Sequence, residues 1–159
     1  MFLKPDFNID SIYDIDIMEL EKRNIKALFF DLDSTTMKSK SGKFSFKTLQ
    51  YLKDLQTAFK IAIITNNSNE KYIQNAQSQT DIPIYKNAKK PKPNALIRAC
   101  CDFDVMPQNA VMIGDRPLSD IWAGKRAKMT TILVDSISKE DENFIVRFAR
   151  FLERLTIKR

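Results

Sequence analysis

Short apolar runs alternate along this chain with longer stretches in which apolar positions recur every three or four residues. The runs "ALFFD" (27–31), "KIAIIT" (60–65), "IPIY" (82–85), "AVMIGD" (110–115) and "TTILV" (130–134) predict five strands. Helical spacing predicts helices near 46–57, 69–78, 93–103, 119–127 and 139–155. Strands alternating with helices point to an α/β domain with a largely parallel sheet.

Three of the strands end in polar residues: Asp31, Thr65 and Asp115. In open parallel sheets, ligands bind just beyond the carboxyl ends of the strands, so these groups are expected to converge on one crevice. Asp31 and Asp33 form a DxD pair at the mouth of a hydrophobic strand, where two carboxylates repel each other and lose hydration. A cation held between them, or chemistry done by them, would account for the cost. Ser34 and Thr35 follow with hydroxyls and amides to offer. Thr65 precedes "NNS", so its hydroxyl, Asn66 and the free amides of a helix start could hold a phosphate, although Asn67 or Ser68 could equally cap that helix. Lys90 opens "KPKP", whose prolines would hold it rigidly before a helix, as a fixed charge for a phosphoryl group or as part of a solvated loop. In "IGDRPLSD", Gly114 allows close backbone approach and Asp115 could join Asp31 around Mg²⁺. Asp120, five residues on, could cap a helix, orient Lys90 or support the metal from behind its ligands.

Composition narrows the chemistry. The 159 residues contain no histidine, which removes histidine-based triads and imidazole bases. With only three glycines, Gly42, Gly114 and Gly124, there is neither a Walker loop nor a GxGxxG fingerprint. Cys100 and Cys101 are adjacent and match no metal-ligand spacing, so they read as reduced thiols of a cytoplasmic protein. No secretory leader or membrane span is expected. The 43% hydrophobic content suits one globular domain over 1–159, and the net charge of +6 favours anionic partners.

A hydrophobic strand ending DxDxT, one ending in Thr, a Lys-Pro, and one ending GD-x4-D together resemble the phosphatases of the haloacid dehalogenase (HAD) superfamily. The opening "MFLKPDFNIDSIYDIDIMELEKRNIKALFFDLDSTTM", with "NAKKPKPNALIRA" and "GDRPLSDIWAGKRAKMTTILV", is similar to the YqeG-type, subfamily III group. Ser34, Arg116, Lys125 and Lys128 depart from that pattern, the last three adding positive charge. The resemblance implies a HAD-like, Rossmann-like three-layer α/β/α sandwich with a mostly parallel five-stranded sheet. It implies Asp31 as nucleophile through an aspartyl-phosphate, and Asp33 as general acid–base. Thr65 and Lys90 would hold phosphoryl oxygens, with Ser34, Thr35 and Asn66 at the substrate. Asp31, the Asp33 carbonyl and Asp115 would ligate Mg²⁺, with Asp120 behind them.

Neither the segment from Asp33 to Lys60 nor that from Thr65 to Lys90 leaves room for a cap domain, so an open site and a bulky substrate are expected. The group resembled implies a phosphatidylglycerophosphatase of phospholipid biosynthesis, acting on an anionic lipid headgroup. A soluble phosphomonoester or a nucleic-acid terminus stays open as the alternative, the latter disfavoured because only Phe44 and Trp122 could stack bases. A non-catalytic phosphate-binding module is a third reading. In the tail, Phe144, Phe148, Phe151 and Leu155 share one helical face and Arg147, Arg150, Arg154 and Lys158 another. Such a helix could rest on an anionic membrane at its inner face, or pack its apolar side on the sheet with the charges in water. Lys38, Lys40 and Lys43 form a second basic cluster.

Overall fold

The computed structural model describes residues 3–140 and 143–155. Its strands are β1 (Phe7–Asn8), β2 (Ala27–Phe30), β3 (Lys60–Ile64), β4 (Ile84–Tyr85), β5 (Ala110–Gly114) and β6 (Thr130–Leu133). They form one sheet in the order β1-β6-β5-β2-β3-β4, with every pairing parallel. The five expected strands are present. The sixth, β1, pairs Phe7 with Ile132 and Asn8 with Leu133. Two residues carry no readable alternation, which is why the sequence does not announce it.

The helices are α1 (Ile17–Lys22), α2 (Phe46–Leu55), α3 (Glu70–Gln77), α4 (Asn94–Phe103), α5 (Trp122–Arg126) and α6 (Phe144–Leu155). Ser45 and Asn69 start α2 and α3 by accepting the amides of Thr48 and Tyr72, which the unsatisfied first turn of a helix requires. The helix expected over 119–127 is divided: Pro117–Ile121 forms a wide π turn before α5.

Side chains alternate across β2. Leu28 and Phe30 face one core with Leu20, Leu52 and Ile73 of α1, α2 and α3. Ala27 and Phe29 face the other with Leu96 and Ala99 of α4 and Ala123 of α5. Both faces are covered, so the four residues of β2 are all apolar and all buried, as parallel central strands require. Gly124 allows α5 to lie close on the sheet, since a Cβ there would stand 2.6 Å from the Thr131 methyl. The chain runs from β2 outward to β4, then returns to β5 on the other side of β2. That reversal opens a crevice between the carboxyl ends of β2 and β5.

Candidate active site

Asp31 follows β2 directly, and its amide still bonds to Ile113 of β5 at 2.9 Å, so sheet pairing fixes its backbone. The chain then turns sharply. Ser34 takes a left-handed φ of 70°, and the amides of Thr36 and Met37 return to the Leu32 carbonyl at 3.0 and 3.1 Å. Leu32 is buried in the core, and the Thr36 hydroxyl donates to the Asp31 carbonyl at 3.0 Å. The DxD turn is therefore pinned between core and sheet, with its two carboxylates at the cavity.

Lys90 lies beneath Asp31. Its ammonium donates to Asp31 Oδ1 at 2.7 Å, Asp120 Oδ1 at 2.7 Å and the Ile64 carbonyl at 2.8 Å. Burial works against the charge on Lys90, but Asp120 and Asp31 outweigh it and hold its pKa above the ordinary lysine value. For Asp31, burial and the neighbouring Asp120 exceed the help from Lys90, and its carboxyl is pushed up to about 6. Asp120 also accepts the Arg116 amide at 3.1 Å and the Ser119 hydroxyl at 3.1 Å. Gly114 makes this possible, because a Cβ there would stand 2.2 Å from Asp120 Oδ2.

Asp115 is almost fully buried. Thr35 donates to its Oδ1 at 3.0 Å, and Arg150 of α6 forms an ion pair with its Oδ2. One oxygen from each of Asp31, Asp115 and Asp120 lies within 4.8 Å of the others. This all-oxygen, acidic donor set fits a hard divalent cation such as Mg²⁺. Asp120 and Asp115 are each engaged through both oxygens, Asp120 by Lys90, Ser119 and the Arg116 amide and Asp115 by Thr35 and Arg150, whereas Asp31 meets Lys90 through Oδ1.

Asp33 sits at the rim, where Tyr72 donates to its Oδ1 at 2.5 Å and Asn67 approaches its Oδ2 at 3.4 Å. Burial and the bond to Asp33 raise the Tyr72 phenol above its usual range. Thr65 accepts the Asn67 amide at 3.1 Å and lines the same cavity of about 550 Å³ as Asp31, Asp33 and Lys90. A larger groove of about 810 Å³ follows β4 and α4, but no carboxylate lines it.

The structure thus brings Asp31, Asp33, Thr65, Lys90, Asp115 and Asp120 to one place. Ser34 and Asn66 line the same cavity, and they and Thr35 each already have hydrogen-bond partners. Thr35 turns its hydroxyl to Asp115, and Ser34 directs its own to Ser138 at 3.2 Å. Asn66 holds the Lys90 backbone, accepting its amide at 2.7 Å and donating to its carbonyl at 3.0 Å. These side chains support the site residues. Phe44 is buried in the core and Trp122 carries Arg126 over its ring at 5.9 Å, and neither residue lines the cavity.

Tyr72 and the placement of Arg150 were not readable from spacing. Tyr72 is an ordinary aromatic in an amphipathic helix, and its ring packs on the core while its hydroxyl reaches Asp33 and the Met37 sulfur. Arg150 belongs to a helix whose docking departs from the core-packed alternative: its apolar residues point outward, and only Glu153 is buried. Lys158, the last of that helix's expected basic residues, lies outside the described residues.

A family model for HAD-hydrolase-like proteins matches residues 87–150. The chain is 30% identical to the "Probable phosphatase YqeG" of Bacillus subtilis over 96% of its own length and 88% of that protein's. It is 24% identical to the chloroplastic/mitochondrial phosphatidylglycerophosphate phosphatase 1 of Arabidopsis thaliana, spanning 99% of this chain but 48% of that one. The crystal structure of 2-haloacid dehalogenase from Pseudomonas syringae shares the fold, with a TM-score of 0.55 at 14% identity, over 80% of this chain and 99% of that one. Among the described residues, each segment between β2 and Lys90 holds only loops, one helix and at most a short strand, with no inserted cap. With near-full-length similarity to YqeG on this fold, the chain belongs to the capless phosphatases of the haloacid dehalogenase superfamily.

Proposed function

We propose that this phosphatase removes the phosphomonoester of phosphatidylglycerophosphate, giving phosphatidylglycerol, through an aspartyl-phosphate on Asp31. The observation that carries the chemistry is the buried Asp31–Lys90–Asp120 chain, with Asp115 beside it and Asp33 at the rim. Asp31 has a fixed approach to the cavity, and Lys90 supplies positive charge where a phosphoryl oxygen would enter. Asp31 and Asp115, with the Asp33 carbonyl, would hold Mg²⁺, which when bound offsets the repulsion between carboxylate and phosphate.

An Asp31 oxygen attacks phosphorus as the bond to the ester oxygen breaks. Asp33, protonated at that moment, gives its proton to the leaving alkoxide. Water then attacks phosphorus and Asp33 takes its proton. The bond from phosphorus to Asp31 breaks, freeing inorganic phosphate and restoring the carboxylate. Thr65 and the amides beside it steady the phosphoryl oxygens. Phosphoryl transfer needs mainly position and charge, so the lack of histidine is no obstacle.

The lipid assignment draws support from the Arabidopsis relative and from a mouth with no cap domain over it, rimmed by Lys38, Lys40 and Arg116. It places the enzyme at the cytoplasmic face of a membrane. The test is phosphate release from phosphatidylglycerophosphate in mixed micelles, with and without Mg²⁺, beside soluble phosphomonoesters and a 3′-phosphorylated oligonucleotide. Selective, metal-dependent release from the lipid is expected. Release from another panel member alone would keep the aspartate chemistry and discard the lipid.

A further inference from the structure

α6 is docked the wrong way round for a core helix. Phe144 is 79% exposed, Ile145 76% and Phe148 50%, with Phe151 and Leu155 continuing the same stripe. What the helix turns inward is charged. Glu153 accepts from Arg116 at 3.1 Å, Arg154 meets Asp135 at 2.6 Å and the Val134 carbonyl at 3.0 Å, and Arg150 pairs with Asp115. An exposed apolar stripe of this length on a small protein marks an interaction surface.

Charge selects the partner. Arg147 flanks the stripe in the groove formed with Phe144, Phe148 and Phe151, and the cavity mouth beside it carries Lys38, Lys40 and Arg116. Aromatic rings bordered by cations suit an anionic lipid surface. Pairing two copies of the stripe would instead bring like charges together. Position adds a consequence. Arg150 reaches into the acidic cluster, where it neutralises the carboxylate that a divalent cation would need.

We propose that α6 is an interfacial latch: its aromatic stripe enters an anionic bilayer, and the move lifts Arg150 from Asp115 and opens the acidic cluster to the cation. Docked, the helix closes the site with its own cation. Transferred to lipid, it leaves the site open and facing the membrane. Two of the pairs that hold it docked, Arg116–Glu153 and Arg154–Asp135, have partly exposed partners and contribute little, so the exchange turns on the buried Arg150–Asp115 pair, whose positive charge a cation at Asp115 replaces. The latch rests on the lipid reading only for its purpose. Its tests use no phosphomonoester, so its failure and that of the phosphatase assay are separate results.

The first measurement is co-sedimentation of the full chain with vesicles of phosphatidylglycerol or of phosphatidylcholine. Binding to the anionic vesicles alone is expected, weakened about tenfold or more in Phe148→Ser/Phe151→Ser, whose changes lie on the exposed stripe. The second is Mn²⁺ titration by calorimetry without lipid, where Arg150→Gln should bind about tenfold more tightly than the parent. Because removing any nearby positive charge would help a cation, the third is hydrogen exchange. Mn²⁺ should speed exchange in residues 144–155 of the parent while α4 stays protected. Absence of vesicle binding, equal binding by the double variant, unchanged or weaker Mn²⁺ affinity in Arg150→Gln, or unaltered exchange in α6 would each overturn the latch.

Discussion

α4 and α6 are both amphipathic, and apolar periodicity does not tell them apart. α4 buries Leu96, Ala99 and Cys100 against Ala27, Phe29, Ala62 and Ile64 of the sheet. α6 buries Glu153 and leaves its phenylalanines in water. The difference lies in the surface each helix meets. α4 shares one sheet face with α5, and α1–α3 cover the other, so neither face is left for α6. What remains is the polar carboxyl edge, where Asp115, Arg116 and Asp135 offer charge, and α6 binds there with its charged side. Periodicity shows that a helix has two faces; the receiving surface decides which turns inward.

The sheet and its loops, rather than α6, should carry the chemistry, and the largest effect tests this division. Asp31→Asn is expected to abolish turnover on any phosphomonoester, measured as phosphate release at saturating Mg²⁺. Asp33→Asn should lower it by ~10²–10⁴-fold, the usual contribution of a positioned acid–base, with the circular dichroism spectrum unchanged. Substantial activity in purified Asp31→Asn protein would place the nucleophile elsewhere.

Leu96→Ala addresses the other half of the comparison. Leu96 is fully buried beneath α4, so the lost contacts and the cavity should cost about 2–5 kcal/mol in urea unfolding. A cost below about 1 kcal/mol would mean that α4 is held no better than α6.

The same contrast explains what could be read from the sequence. Asp31, Thr65 and Asp115 each end an apolar strand, so parallel pairing alone brings them together, and the expectation needed no tertiary detail. The prolines beside Lys90 mark it in the sequence, but its reach to both Asp31 and Asp120 goes with Asn66 gripping its backbone. Thr35 and Ser34 drew notice as free hydroxyls, whereas the fold spends them on Asp115 and Ser138. Tyr72 and Arg150 reach the site from α3 and α6, through packing that no local pattern encodes. β1 leaves no mark in the sequence because its two residues take their place by pairing with β6.

A smaller effect is expected in the metal-free protein as pH changes. The folded state raises the Asp31 carboxyl from 3.8 to about 6, chiefly by burial, so between these values it binds more protons than the unfolded chain. Its contribution to stability is therefore greatest below about pH 4, falls as pH rises to about 6, and is flat above. Asn does not titrate. In EDTA, the stability of Asp31→Asn relative to the parent should rise across that window by roughly 1–3 kcal/mol, at 1.36 kcal/mol per unit. A difference independent of pH would mean that Lys90 fully offsets the burial of Asp31. The sheet-borne site would then be electrostatically relaxed, and only α6 would be held in tension with its charges.

The smallest effect is the sharpest discriminator between the two helices. Phe148 is half exposed, and its main aromatic neighbour is Phe144, stacked at 6.1 Å. Replacing it with serine removes little buried area, so Phe148→Ser should change stability by less than about 0.5 kcal/mol, as surface substitutions do. The same change should make the protein less prone to self-association, measured by light scattering, because it interrupts an apolar patch. If Phe148→Ser instead costs as much as Leu96→Ala, the ring is buried in solution. α6 would then pack as α4 does, and its charged side would face water, taking Arg150 away from Asp115.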